Sequence, residues 1–182
     1  MDKRTFNDVS YGVYIATSKY EETFSGCVIT TLMQITAEEK PKMMVAINKS
    51  NYTNELIKKS GKVNVSVLSE EADMLLIGKF GFSTGRDFDK LDGTQYINGM
   101  NGIPCVTQKA VAYFETRVIN EIDAGTHTIF LLEVEDTVKL NEGKPMTYDY
   151  YHKVVKGKTP KTAATFSEWW GGIMIGGEKY EI

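Results

Sequence analysis

Two long β-type runs near the middle of the chain, separated by one turn signal, restrict the fold more than any other feature of the sequence. Residues 109–122 and 126–139 are rich in β-branched and aromatic side chains, and the tripeptide Asp-Ala-Gly at 123–125 lies between them. A short glycine-containing segment between two such runs is typical of a β-hairpin. Alternate positions of the second run carry Thr128, Phe130, Leu132 and Val134. Ile129 and Leu131 occupy the other face, so we expect an antiparallel hairpin in which the first half of the second strand is buried on both sides.

Four further runs have the composition of strands: residues 11–17, 25–36, 42–48 and 62–68. The second of these is the longest and predicts one long strand. The third is almost continuously apolar, so we expect it to be covered on both faces. The fourth alternates strictly, with three valines on one face and Asn64 and Ser66 on the other, which predicts a half-buried strand.

Two short helices are expected among these strands. The first begins at an N-cap, either Ser50 or Asn51, and ends at Gly61. The second begins at Ser69 as its cap, has acidic residues in its first turn and buries Leu75. Many strands with two short helices favour a β-barrel with helical decorations over a doubly wound α/β fold. The sequence also lacks the glycine fingerprint of dinucleotide-binding folds and the phosphate loop of nucleoside triphosphatases.

Size and charge narrow the class of protein. A chain of 182 residues corresponds to one domain. Its net charge of -3, from 21 basic and 24 acidic residues, argues against nucleic acid as the main partner. No apolar run approaches the ~20 residues that a membrane span needs, and no secretory signal is recognisable.

Cysteine usage points to the same conclusion. With only two cysteines and no secretory signal, we expect a reduced, cytoplasmic location. Cys27 and Cys105, together with His127 and His152, show no ligand-like spacing, so we expect no metal site.

A polar cluster at residues 48–53 follows the apolar run and precedes the first helix. The N-terminus of a helix offers unpaired backbone N–H groups and the positive end of the dipole. The ammonium of Lys49 and the hydroxyls of Ser50 and Thr53 could complete an anion site for a phosphate. Ordinary capping of the helix is the alternative interpretation.

Three other groups of residues could carry chemistry. Thr30 and Thr31, with Gln34, either line a pocket for a polar planar ligand or belong to an exposed strand face. The loop at residues 81–90 combines two cations with glycines that permit close approach of the backbone, or it is a solvated surface loop. His127 either donates a hydrogen bond or a proton to a ligand, or it is a structural residue at a strand end.

The C-terminal tail adds aromatic side chains. Phe166 and the pair Trp169–Trp170 could stack on a ring system. The alternative is simple packing of a C-terminal arm, or a dimer contact.

Five motifs, in the right order and spacing, resemble one known family: residues 25–31 with Gln34, residues 48–53, residues 81–87 with Asp89-Lys90, residues 124–130 and residues 156–161. The chain resembles the flavin reductase-like FMN-binding split-barrel proteins from about residue 11 to residue 166. Within this family it is similar to flavoredoxin and to the flavin-reductase half of high-molecular-weight rubredoxins.

The resemblance implies a fold and an assembly. The expected fold is mainly β, a Greek-key split barrel with a few short helices, forming one domain over residues 1–182. From the length of chain beyond one barrel, we expect residues 155–182 to be a C-terminal arm that closes over the cofactor or the partner subunit. The family also implies a homodimer that holds FMN near the subunit interface.

The resemblance also assigns roles to residues by their positions in the motifs. The flavin ring is expected along Thr30, Thr31, Leu32 and Gln34, and the phosphate at Asn48, Lys49, Ser50 and Thr53. Further cofactor contacts are expected from Ser83, Lys90, His127 and Phe166. His127 is in addition the candidate for a catalytic assistant.

The implied function is NAD(P)H-dependent reduction of the flavin, with electrons passed to a separate acceptor. Because the sequence contains no Cys-x-x-Cys iron motif, that acceptor would be a separate rubredoxin-like or other redox protein, or a small oxidant. One alternative is a flavoredoxin-like electron carrier that a protein partner reduces. The other is a split barrel that binds a ligand without redox chemistry.

Overall fold

The described part of the chain, residues 2–166 of the computed structural model, consists mainly of strands. The strands, in chain order, are β1 (Tyr14–Tyr20), β2 (Thr23–Ile29), β3 (Leu32–Gln34), β4 (Lys42–Asn48), β5 (Lys62–Leu68), β6 (Tyr96–Asn98), β7 (Pro104–Val106), β8 (Ala110–Ala124) and β9 (His127–Lys139). The helices are α1 (Tyr52–Ser60), α2 (Met74–Gly81), α3 (Tyr148–Lys153) and a 3-10 helix (Lys3–Asp8). This composition confirms a mainly β fold with a few short helices.

Seven strands form one antiparallel sheet, and the predicted hairpin lies inside it. The order is β2-β1-β5-β8-β9-β4-β3, while β6 and β7 form a separate pair. Ala124 pairs with His127, so Gly125 and Thr126 form a two-residue turn. Gly125 has a φ of 75°, the left-handed conformation that the first position of such a turn requires. Within residues 2–166, no helix is both long enough and apolar enough to cross a membrane.

The two outer strands of the sheet are consecutive in the chain. Only Thr30 and Thr31 separate β2 from β3, although these strands lie at opposite ends of the strand order. The sheet therefore curls until its edges meet, and β2 also contacts β4. The curled sheet encloses a core that includes Val45, Val65 and Phe130, none of which is exposed to solvent.

A second core lies outside the curled sheet, between β1, β2 and the helices. Its largest buried side chains come from α2 and from α3, including Ile77, Phe80 and Tyr151. Helix α3 is absent from the sequence prediction, although Thr147 caps it by accepting a hydrogen bond from the backbone of Tyr150 at 3.1 Å. This helix matters below because it forms one wall of a cavity.

The prediction of one long strand over residues 25–36 is wrong. The run is broken after Ile29, and its second part becomes the short edge strand β3. The hydroxyl of Thr31 donates to the carbonyl of Ala46 and accepts from its amide, both at 3.1 Å. At this point the Thr31 side chain thus replaces the backbone hydrogen bonds that would join two strands. The composition of the run does not reveal this break, because it depends on the distant Ala46.

Two further expectations are corrected by the buried surroundings of the residues. Asn64 is fully buried, and its side-chain amide donates to the carbonyl of Ile103 at 3.0 Å and to the side chain of Asn101. Strand β5 is therefore covered on both faces. The second helix begins after Asp73, whose carboxylate accepts from the amide of Leu76 at 3.0 Å, and not after Ser69. Leu75, which we expected to be buried, is 82% exposed in the helix as it is observed.

The packing of α2 against β2 yields a prediction about stability. A Cβ atom at Gly26 would lie 2.9 Å from the ring of Phe80. We expect Gly26→Ala to lower the free energy of unfolding by about 1–3 kcal/mol, because the ring would have to move. Urea denaturation measures this change. Gly78→Ala in α2 is the matched control, since its nearest atom is 3.9 Å away, and wild-type stability of Gly26→Ala would contradict the packing.

Candidate functional site

A cavity of about 340 Å³ opens where the edges of the curled sheet meet. Its walls are β2, the end of β4, the start of α1, and α2 with the loop that follows it. Helix α3 and residues 158–164 close the remaining side. The volume lies within the range of about 300–1,000 Å³ that is usual for small-molecule sites.

The start of α1 contributes the positive end of a helix to this cavity. Asn51 is the N-cap, as predicted, but its side chain makes no capping hydrogen bond to the first turn. Tyr52 and Thr53, the first residues of the helix, line the cavity. Thr53 is fully buried, and its hydroxyl lies 3.0 Å from that of Ser25. Helix dipole, first-turn amides and hydroxyls together can bind an anion.

Asn48 organises the chain just before this helix. Its side-chain oxygen accepts hydrogen bonds from the amide and the hydroxyl of Ser50, at 2.8 and 2.7 Å. Its side-chain nitrogen donates to the carbonyl of Thr162 at 2.7 Å. Asn48 therefore fixes the position of Ser50 and also connects the cavity to the C-terminal segment.

Lys90 brings a buried cation into the cavity. It is 2% exposed, and its ammonium donates to the carbonyls of Gly26 and Phe80, at 2.7 and 3.0 Å. Burial lowers the pKa of Lys90 to about 8. The side chain therefore remains mostly protonated at pH 7 and supplies a positive charge that has lost most of its water.

Cys27 lies in the same wall of the cavity. Burial raises the pKa of its thiol, against smaller effects of hydrogen bonds from Thr53 and Asn51 and of the charge of Lys90. The thiol is thus protonated at neutral pH. Both Cys27 and Cys105 are free and buried.

His127 lies at the start of β9, opposite Asn48 of β4, and lines the cavity. Its Nδ1 is 2.8 Å from the hydroxyl of Thr126. Partial burial lowers the pKa of His127, so the imidazole is neutral at pH 7. When the Thr126 hydroxyl donates to Nδ1, the proton of the ring is on Nε2 and the ring is a hydrogen-bond donor.

The structure brings seven of the predicted site residues together around the cavity: Thr30, Asn48, Ser50, Thr53, Ser83, Lys90 and His127. Five others do not line it: Thr31, Leu32, Gln34, Lys49 and Phe166. The first three lie at or on the edge strand β3. Trp169 and Trp170 lie outside the described residues.

Lys49 is directed towards the β8–β9 hairpin. Its ammonium pairs with Asp123 at 2.6 Å, and its amide donates to the carbonyl of Thr126 at 3.0 Å. Both charged side chains are well exposed. At the start of α1, the guanidinium of Arg86 stacks on the ring of Tyr52 at 4.1 Å.

Sequence reasoning missed Tyr148 and Tyr151, which line the cavity from α3. Their rings are stacked with centroids 6.1 Å apart. A usable signal was present, because Thr147 before an aromatic run with spacing i, i+3 is typical of a capped helix with one buried face. The contact of Cys27 with the cavity was also missed, and no local signal indicates it.

Comparisons with known proteins agree with this arrangement. Residues 6–157 match the family described as flavin reductase like domain. The ferric-chelate reductase (NAD(P)H) of Archaeoglobus fulgidus is 43% identical over 169 residues, which cover 92% of this chain and 99% of that protein. The high molecular weight rubredoxin of Moorella thermoacetica is 43% identical over 167 residues, which cover 92% of this chain and 72% of that protein.

A solved structure shows the same fold. Flavoredoxin from Methanosarcina acetivorans has a TM-score of 0.65 at 21% identity, over 75% of this chain and 74% of that one. These matches confirm the resemblance that the five sequence motifs indicate.

Protonation of the two histidines is directly measurable. Burial lowers the pKa of both His127 and His152 from the ordinary value of 6.5. We expect both imidazoles to titrate below pH 6.5 in the folded protein, which NMR of the ring protons measures, with His152→Gln for assignment. Because the unfolded chain binds more protons in this interval, stability should rise as the pH rises towards 6.5. A midpoint above 6.5 for His127 would contradict the described burial.

Proposed function

The chain belongs to the flavin reductase-like domain family, and we propose that it is an oxidoreductase that reduces a flavin with NAD(P)H and holds FMN in the cavity between β2, β4, α1 and α2. The observation that carries this proposal is the start of α1 together with buried Thr53 and Lys90 in one enclosed wall. FMN is preferred because its phosphate is a terminal dianion, for which such a wall is suited.

The phosphate would lie at the start of α1. Tyr52 and Thr53 provide first-turn amides, and the hydroxyls of Ser50, Thr53 and Ser25 are within the same cavity wall. A dianion in this position would replace water as the partner of these donors. Lys49 would act only at longer range, because Asp123 already holds its ammonium.

The residues further inside the cavity suit a redox-active ring. When bound, a flavin supplies a ring that accepts a hydride from NAD(P)H and passes electrons on. Lys90 provides a buried positive charge, which favours negative charge developing nearby. His127 provides a neutral imidazole that can hold or donate one proton at Nε2, and the hydroxyl of Thr30 is a further hydrogen-bonding group.

The acceptor of the electrons would be a separate molecule. The high molecular weight rubredoxin that this chain resembles is 43% identical, and the chain spans 72% of it. A rubredoxin-like redox protein is therefore the partner that we propose, with a small oxidant as the alternative. We also propose a cytoplasmic location for both.

A homodimer is part of the proposal. The edge strand β3 carries Met33, which is 56% exposed, and is followed by Ile35, which is 45% exposed. Exposed apolar side chains on the last strand of a sheet favour pairing with another surface. In such a dimer Thr31, Leu32 and Gln34 would lie near the interface.

The phosphate assignment is tested by comparing two ligands. We expect Thr53→Val to weaken FMN binding by about 1–3 kcal/mol, because a charge-assisted hydrogen bond is lost. Riboflavin, which lacks the phosphate, should bind wild type and variant alike. Quenching of flavin fluorescence measures both affinities, with Thr137→Val as control, since Thr137 is exposed on β9 and does not line the cavity. An equal loss for both ligands would place Thr53 away from the phosphate.

The role of NAD(P)H is tested by anaerobic mixing. We expect NADH or NADPH to bleach the flavin absorbance of the loaded protein. His127→Ala should slow this reduction roughly 10²-fold or more while changing FMN affinity little, if the imidazole assists proton movement.

The same experiment separates the alternatives. A flavin that dithionite bleaches but NAD(P)H does not would favour an electron carrier that a protein partner reduces. A protein that takes up no flavin would favour a ligand-binding barrel without redox chemistry. A larger effect of His127→Ala on affinity than on rate would make His127 a cofactor-holding residue only.

A further inference from the structure

Residues 156–166, which we call the strap, form the roof of the cavity. The strap leaves the end of α3 and contributes Lys158, Thr159, Pro160 and residues 162–164 to the cavity lining. The strap thus forms part of the cavity wall together with α1 and β2. A ligand bound at the wall formed by α1 and β2 would therefore lie against the strap.

The start of the strap has the geometry of a hinge. Lys156 has a φ of 59°, a left-handed conformation that is uncommon for a residue with a side chain. Gly157 follows, is buried and lies directly against Tyr151, so that a Cβ atom would be 2.0 Å from the ring. The backbone thus turns sharply at a position that only glycine can occupy.

Helix α3 clamps the first part of the strap. The amide of Gly157 donates to the carbonyl of Tyr151 at 3.0 Å, and the hydroxyl of Tyr151 donates to the carbonyl of Lys158 at 2.8 Å. The hydroxyl of Thr159 bonds that of Tyr148 and lies 3.2 Å from Nε2 of His152. These contacts join the strap to a helix that is itself part of the second core.

Polar contacts latch the far part of the strap, and one of them, between the hydroxyls of Thr165 and Tyr148, again comes from α3. Asn48 donates to the carbonyl of Thr162 at 2.7 Å, and the hydroxyls of Thr30 and Thr165 are 3.0 Å apart. Both Asn48 and Thr30 belong to the cavity wall. Among the described residues, no apolar side chain of the far part is fully buried, and the polar contacts that hold it there are hydrogen bonds that water can replace.

We propose that the strap is a hinged roof, fixed at Gly157 by α3 and released at Thr162 and Thr165, whose opening admits the ligand and limits its departure. The identity of the ligand, a flavin, rests on the proposed function, whereas the opening does not. In the open state Thr30 and the amide of Asn48 become available for hydrogen bonds to the ligand. The local unfolding of a segment with few apolar contacts is an ordinary low-cost motion.

Cys27 offers a measurement of roof opening that needs no cofactor. Its thiol lines the cavity, whereas Cys105 is fully buried in another part of the fold beside Asn64. We expect N-ethylmaleimide to label Cys27 of the flavin-free protein slowly. Gly157→Ala should speed this labelling by about tenfold or more, because the added methyl forces the strap away from Tyr151. Peptide mass spectrometry resolves the two cysteines.

Thr165→Val is the second, milder variant. It removes the hydroxyl that contacts Thr30 and Tyr148 without a steric clash, so we expect labelling of Cys27 to rise about two- to tenfold. Gly78→Ala is the matched control and should leave the rate unchanged.

The labelling of Cys105 reports on the integrity of the fold. Its rate should be equal in all variants. If it rises in parallel in Gly157→Ala, that variant has loosened the whole domain, and Thr165→Val alone decides. In that case, unchanged labelling of Cys27 in Thr165→Val would overturn the proposal. Unchanged labelling of Cys27 in Gly157→Ala would overturn it in any case.

Flavin release connects the roof to the proposed function. Stopped-flow displacement of bound FMN should be faster in Gly157→Ala by a factor similar to that seen for Cys27. Faster labelling with an unchanged rate of flavin release would show that the strap does not gate the ligand, and would overturn the proposal. If no flavin binds at all, the proposed function fails, and the labelling of Cys27 still decides whether the roof opens.

Discussion

The pair of hydrogen bonds between the Thr31 hydroxyl and the backbone of Ala46 is the interaction on which the arrangement of the site depends. They hold the chain at the point where it leaves β2 and begins β3, so the two edges of the sheet meet there. The cavity lies beside this junction, and Thr30 and Ala46 are both part of its wall. The residues at which the sheet closes are therefore also part of, or next to, the cavity wall.

Charge is distributed around the cavity in a way that suits an anionic ligand. The start of α1 supplies a partial positive charge at one end, and Lys90 supplies a full charge in the interior. The Cys27 thiol would repel an anion if it were deprotonated, but it is neutral at pH 7 because burial raises its pKa. His127 is neutral for the related reason that burial disfavours its protonated form. Anion binding and proton transfer can thus use different residues of the same cavity wall.

Local signals in the sequence were sufficient for elements whose ends are set by their own residues. Helix α1 begins after Asn51 and ends before Gly61, which has the left-handed φ of 67° that such a stop requires. The β8–β9 hairpin follows from Gly125 for the same reason. The motif at residues 48–53 also identified Asn48, Ser50 and Thr53 as cavity residues, since a helix start positions all three.

Features that depend on distant contacts could not be predicted from the sequence. The break after Ile29 depends on Ala46, and the burial of Asn64 depends on Asn101 and Ile103. Lys49 was expected to contact the phosphate, but its ammonium pairs with Asp123 instead. Asp123 lies near the tip of the β8–β9 hairpin, which only the folded sheet brings close to Lys49.

The most direct test of this account is to map FMN on the protein by NMR. The flavin-free protein, labelled with ¹⁵N, would be titrated with FMN and then with riboflavin. We predict that FMN shifts the amides of Tyr52 and Thr53 and those near His127, and that riboflavin shifts those near His127 but leaves Tyr52 and Thr53 almost unchanged. Shifts confined to residues outside the cavity, or none at saturating FMN, would contradict the assignment of this cavity as the flavin site.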